Sequence, residues 1–265
     1  MTEPVMFLPM DDDSYAYLVR GLVLYPKDFG QTGATSFIHP HSYQRHRPTS
    51  LRIVQDICRI RTEQSSTGAK YSTVLPRLIR SLLSTASSTV SFIDTLAFVQ
   101  SLCLLQIFAF FSPDASAEDH VEGLARQQLL IDWTHKLWKS APNELPSTLS
   151  KHEAYVFAEA VRRTILTSHK IQGAYRVGKT GFFRHTIFVE TLPLGGNVAL
   201  WEGEVDAEAW CENSKYPNLL SYRELCDVFD AGLMKTATPF ERMLLVGCKG
   251  KAAVEERLGP LSQDE

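Results

Sequence analysis

Residues Gly173 to Thr180, GAYRVGKT, satisfy every fixed position of the phosphate-binding pattern G-x-x-x-x-G-K-[ST]. In such a loop, backbone N–H groups at a helix N-terminus cradle phosphates, and the lysine and hydroxyl reach the terminal phosphates and a magnesium ion. That chemistry needs an apolar strand running straight into the first glycine. Here the preceding residues, Thr167 to Gln172, are mostly polar and continue a helical period. Leu129-Leu130-Ile131-Asp132 would be the matching magnesium partner, but it lies upstream in an amphipathic pattern. The match is read as a coincidence in a helix-to-turn segment, and no nucleotide or other cofactor is expected.

The remaining reactive side chains are scattered. His39, His41 and His46 cluster in a Pro-rich stretch, but a metal site needs three or four ligands and no acidic partner is near in sequence. The five cysteines, Cys58, Cys103, Cys211, Cys226 and Cys248, form no CxxC pair, so they read as buried or idle thiols in a reducing compartment. No serine sits in a G-x-S-x-G elbow. No catalytic residue is assignable. Glu159 reads as half of an i, i+4 ion pair with Arg163 on a helix surface. Trp133, Trp138, Trp201 and Trp210 read as core residues.

One stripe stands apart. Ala154, Ala158, Val161 and Ile165 share a helix face that turns polar at Ser168 and Gln172 before Tyr175, with His169 alongside. Buried polar groups cost free energy unless partnered. Either these residues meet partners across a helix bundle or they line a cavity. In the cavity reading, Ser168, His169, Gln172 and Tyr175 border a ligand site facing the helix that carries Trp133. Tyr175 would supply a flat face and a hydroxyl donor, and Gln172 and His169 would orient a carbonyl.

The elements that must position these residues are mostly helical. Lys151 to Gly181 is the longest segment with a clear helical period, weakening at Gly173 and Gly178. The spacing predicts further helices over 50–63, 73–84, 91–111, 119–139, 207–213, 221–231 and 239–248, the last with Pro239 in its first turn. Phe182 to Leu192 reads as either helix or strand. Residues 1–50 hold five prolines and three glycines, which argues against long helices there. The expected fold is all-α: a single multi-helix domain over 51–248, an irregular lead over 1–50 packing on it, and a charged tail over 249–265 that frays.

A chain of 265 residues can bury a sizeable core, and at 44% hydrophobic and 22% charged it has an ordinary globular composition. The net charge of −3 and the lack of a polybasic run argue against direct DNA contact by this chain. The N-terminus has no basic region ahead of its apolar residues and reads poorly as a signal peptide. Leu96 to Phe111, the most apolar run, is shorter than the ~20 residues a membrane span needs and reads as a helix buried all round. No membrane association is expected.

Glu159-Ala160-Val161-Arg162-Arg163, the aliphatic Ile165-Leu166, Gly173-Ala174-Tyr175 and Gly181 together resemble a recurring helix in the regulatory region of fungal binuclear zinc-cluster transcription factors. Leu192-Pro193 with Ala199-Leu200-Trp201 is similar to a segment that follows it in that family. Phe37-Ile38-His39-Pro40, Val99 to Phe111 and Asp132-Trp133 are similar upstream, so the resemblance spans roughly Phe29 to Trp210. The family's compact six-cysteine DNA-reading cluster is missing from it.

The resemblance implies a nuclear regulator of fungal specialised metabolism that lacks its own DNA-binding module. Such a chain would work through a DNA-binding partner protein or a sensed metabolite, as a possible homo-oligomer or as an incomplete version of a longer factor. The alternative is a cofactor-free cyclase of the Diels–Alder type, cytoplasmic, in which a shaped apolar pocket holds a reactive conformer without nucleophile, metal or nucleotide.

Overall fold

The computed structural model describes residues 5–43, 46–67, 74–140, 149–195, 201 and 219–261. The helix expected over 207–213, together with Trp210 and Cys211, lies outside the described residues, as do Ala199 and Leu200. The elements in chain order are β1 (Val5–Pro9), α1 (Asp12–Thr32), α2 (Thr49–Thr67), α3 (Val74–Ser84), α4 (Phe92–Phe111), α5 (Ala117–Ser140), α6 (Lys151–Thr180), β2 (Phe182–Thr186), α7 (Ile187–Glu190), β3 (Pro193–Gly195), β4 (Leu219–Ser221), α8 (Tyr222–Asp230), α9 (Pro239–Lys249) and α10 (Lys251–Leu258). The class is all-α, as expected. The chain forms two compact units, Leu22–Ser168 and Met1–Gly21 with His169–Glu265, whose boundaries fall inside α1 and α6.

In the Leu22–Ser168 unit, α4 supplies the core. Its side chains are apolar on every face, and 83% of its most apolar window is buried, so a helix long and apolar enough to cross a membrane serves here as a core helix. Ser91 caps it by accepting a hydrogen bond from the Asp94 amide. Its few polar groups are all used. Gln100 accepts from the Tyr43 hydroxyl at 2.8 Å and donates to the Phe37 carbonyl at 3.1 Å and the Thr164 hydroxyl at 3.2 Å. Gln106 donates to the Gly123 carbonyl at 2.7 Å. A Cβ on Gly123 would stand 2.8 Å from the Ala109 Cβ, so glycine is what lets α5 approach α4 this closely.

The second unit combines β1 and β2, an antiparallel pair with Val5 opposite Thr186, and β3 and β4, with Pro193 opposite Ser221. Helices α8, α9 and α10 follow. Both α8 and α9 start with reciprocal capping boxes, Ser221 with Glu224 and Thr238 with Glu241, and Pro239 sits in the first turn of α9 as its missing N–H allows. The ambiguous segment after α6 resolves as strand β2 followed by the single helical turn α7.

Two expectations are corrected. The lead is not devoid of long helices, because α1 runs for 21 residues through Pro26. Counting prolines and glycines overlooked the buried stripe Leu18, Leu22, Tyr25 and Phe29, whose spacing is helical. Asp11 caps this helix, accepting from the Ser14 amide at 2.8 Å. The tail does not simply fray, because Lys251–Leu258 is helical and buries Val254. The amide of Lys251 donates to the Ser14 hydroxyl at 2.7 Å, satisfying a helix N-terminus that Gly250 cannot cap.

Candidate functional site

Helix α6 does not end at its internal glycines; it ends at Gly181, in the left-handed region at φ 74°. Gly173 and Gly178 serve packing instead. A Cβ on Gly173 would stand 2.1 Å from the Phe183 ring, and one on Gly178 would stand 2.4 Å from the Tyr15 hydroxyl. The phosphate-type motif therefore lies inside a continuous helix, where its amides are bonded along the helix rather than gathered around an anion.

The five residues expected to border a ligand cavity divide between the two units. Ser168 and Trp133 belong to Leu22–Ser168; His169, Gln172 and Tyr175 belong to the other. Ser168 is fully buried, with its hydroxyl 2.9 Å from that of Thr134. Thr134 uses its own proton on the Leu130 carbonyl at 2.7 Å, so Ser168 is the donor of the pair. Trp133 is half-buried, edge-on to Phe98 at 4.7 Å, with the Lys136 ammonium 4.1 Å above its ring. The His169 ring lies 5.4 Å from that of Phe188, Tyr175 carries Lys179 over its face at 5.7 Å, and Gln172 is half-buried.

Two grooves open on the Leu22–Ser168 unit. One, of about 610 Å³, is lined by Asp132, His135, Lys136 and Lys139; the other, of about 370 Å³, by Leu75, Ile79, Leu83, Arg61 and Asp119. None of the five expected site residues lines either groove. His39 and His41 stand edge to face at 5.1 Å, but among the described residues no group of three potential metal ligands comes together.

Glu159 departs from its expected surface role. It is fully buried, with its carboxylate 3.0 Å from the Arg163 Nε and 3.3 Å from the Arg162 Nη1. Arg163 also donates to the Ser36 carbonyl at 3.0 Å. Of the three tryptophans among the described residues, Trp201 is buried, Trp133 half-buried and Trp138 exposed.

A further cluster of polar groups lies on residues that carry no sequence motif. Lys170 is buried, and its ammonium donates to the Tyr222 hydroxyl at 3.0 Å and the Leu244 carbonyl at 3.2 Å. Tyr222 donates to the same carbonyl at 2.6 Å. The ammonium lies 5.1 Å from the Phe183 ring centre and 5.0 Å from that of Tyr222. Gly247 makes the approach possible, since a Cβ there would stand 2.1 Å from the lysine nitrogen.

Two thiols complete this cluster. Tyr222 and Cys226 are one turn apart on α8, and Cys248 lies one turn after Leu244, whose carbonyl takes part, on α9. The sulfurs of Cys226 and Cys248 are 2.8 Å apart. Burial lowers the Lys170 pKa to about 8, opposed by the two nearby sulfurs. The Cys248 thiol is drawn below its ordinary value, chiefly through the hydrogen bond from Cys226, with burial opposing and the charges of Lys170 and Lys249 assisting. Cys226 moves up as the proton-holding partner, and burial raises Tyr222 well above its ordinary value. Cys58 and Cys103 are fully buried and pushed up by desolvation, so they remain unreactive thiols. Nothing in the cysteine spacing announces the Cys226–Cys248 contact; the one readable cue was a lysine, Lys170, on the buried face of an amphipathic helix.

No family profile matches the chain, and no solved structure matches it. Among curated proteins, Transcription factor gsfR2 of Penicillium aethiopicum is 26% identical over 205 residues, covering 71% of this chain and 48% of the relative. The chain thus spans about half the length of that relative. It is related in sequence to a fungal transcription factor.

Proposed function

We propose that this chain is a transcription regulator of a fungal specialised-metabolite pathway. It acts in the nucleus through its helical scaffold and a DNA-binding partner protein, or in response to a metabolite, rather than by DNA contact through the residues present here. The observation that carries this reading is the sequence relation to a fungal transcription factor over 71% of the chain. The net charge of −3 supports an indirect mode of action, because nucleic-acid binders concentrate basic residues on one face. The cyclase alternative finds no support in the two described grooves, which are open and carry charged side chains where a pericyclic reaction wants an enclosed apolar wall.

The test is genetic. Deleting the gene is expected to change transcript levels of its chromosomal neighbours, and a fluorescent fusion is expected in the nucleus. Fusing the chain to a heterologous DNA-binding module is expected to change expression of a reporter carrying that module's site. Unchanged neighbour transcripts together with a silent reporter would reject the reading.

A further inference from the structure

We infer that Cys226 and Cys248 form a reversible dithiol–disulfide site that is oxidised by a hydroperoxide, with Cys248 as the attacking sulfur and Cys226 as the resolving one. The inference rests on the geometry of the Met1–Gly21 and His169–Glu265 unit and stands apart from the regulatory reading. The two sulfurs lie 2.8 Å apart, each on a capped helix, so a bond of about 2.05 Å asks them to close by less than 1 Å. Cys248 is half-buried whereas Cys226 is buried, so the attacking role is assigned to Cys248. A thiolate near the C-terminal end of α9 is disfavoured by the helix dipole. The positive charges of Lys170 and Lys249 offset this and favour the Cys248 thiolate. Lys170 is held in place by Tyr222 and the Leu244 carbonyl, at 3.0 and 3.2 Å, so the charge is fixed rather than wandering in solvent.

The chemistry balances. The Cys248 thiolate attacks the hydroperoxide oxygen, forming an S–O bond and breaking the O–O bond; the leaving alkoxide or hydroxide takes a proton and departs as alcohol or water. The Cys226 sulfur, on losing its proton, then attacks the Cys248 sulfenic acid, forming the S–S bond and releasing water. Two thiols are oxidised by two electrons and one hydroperoxide is reduced. A small dithiol reverses the step by exchange.

The experiment uses the full chain, reduced and then treated with hydrogen peroxide, with Cys211→Ser as a parallel background. Peptide mapping is expected to find a Cys226–Cys248 linkage and an intact mass lower by two hydrogens, both reversed by dithiothreitol. Cys226→Ser is expected to leave Cys248 as a sulfenic acid that dimedone labels. Lys170→Met, which removes a charge favouring the Cys248 thiolate, is expected to slow thiol loss. The mapping arm needs no variant, so a variant that fails to fold does not block the test. Finding Cys226 and Cys248 still reduced after peroxide, or linked to other cysteines instead of each other, would overturn the inference. Dimedone labelling confined to Cys226 would reverse the assigned roles and overturn it equally.

Discussion

The Lys170 ammonium and the Tyr222 hydroxyl converge on a single acceptor, the Leu244 carbonyl, at 3.2 and 2.6 Å, while lying 3.0 Å from each other. A buried ammonium is tolerated here because three neighbours share its solvation: the phenol, a main-chain carbonyl and the face of Phe183.

Removing the two partners should have opposite effects. Tyr222→Phe keeps the ring but takes one acceptor from the ammonium and the phenolic donor from the carbonyl, an expected loss of about 1–3 kcal/mol. Lys170→Met removes the buried charge while keeping much of the volume, and is expected to be near neutral or stabilising at pH 7. The sign with pH follows from Lys170, whose folded pKa of about 8 lies below the 10.5 of the free side chain. Between these values the unfolded chain binds more protons, so Lys170 contributes stability as pH rises from 8 and loses it as pH falls back through 8. The wild type should therefore gain on Lys170→Met across that window in urea melts at fixed pH. A gap that narrows toward low pH instead would contradict the assignment.

The Glu159–Arg163 pair should behave as a buried ion pair rather than a surface one. Arg163→Met takes its 3.0 Å partner from a fully buried carboxylate, and is expected to cost about 3–5 kcal/mol. The double variant Glu159→Leu/Arg163→Met removes both charges and is expected to recover most of that loss. Denaturant midpoints of the two single variants and the double close the cycle. A single-variant cost below about 0.5 kcal/mol would place the pair with solvated helix-surface pairs instead.

How much of this was legible in the sequence depends on the range of the contact. Helices α2, α3, α5, α6, α8 and α9 are readable because each carries its own apolar period, and α4 because it is an almost unbroken apolar run; Ser91, Ser221 and Pro239 mark the starts of α4, α8 and α9. The α1 helix was missed because a helix interior that accommodates Pro26 contradicts the local rule, and the tertiary burial of Leu18, Leu22 and Phe29 wins. Ser168 was readable as a buried polar group, but its partner Thr134, 34 residues away, was not. Lys170, Tyr222, Cys226 and Cys248 come together from three helices. No spacing rule connects positions whose proximity is created by packing, so sequence pattern alone separated thiols that the fold brings together.

The glycines of α6 make a discriminating pair. Gly173→Ala should gain helix propensity of about 1 kcal/mol but places a Cβ 2.1 Å from the buried Phe183 ring, so a net loss of about 1–3 kcal/mol is expected. Gly181→Ala meets no neighbour within 4 Å, yet its φ of 74° costs a non-glycine residue about 1–2 kcal/mol. The two should separate in a double variant with Phe183→Leu. The smaller side chain should relieve Gly173→Ala and leave the cost of Gly181→Ala unchanged, read as denaturant midpoints.

The phosphate-type motif gives the last prediction. Gly173, Gly178, Lys179 and Thr180 match the pattern by letter, but all four lie within α6, and the Thr180 hydroxyl donates to the Arg176 carbonyl one turn earlier at 3.0 Å. Lys179 is exposed and lies over the Tyr175 ring at 5.7 Å rather than over a nest of free amides. A ligand that binds only the folded state raises the melting temperature by mass action, and at a hundred times its dissociation constant contributes about 2.7 kcal/mol. Millimolar ATP or GTP with magnesium is therefore expected to leave the thermal melt of the wild type unchanged. Lys179→Ala should give the same flat response and the same stability to within about 0.5 kcal/mol. A nucleotide-dependent rise in melting temperature that Lys179→Ala abolishes would show that this helix opens into a phosphate loop, and the helical reading of 173–180 would have to be given up.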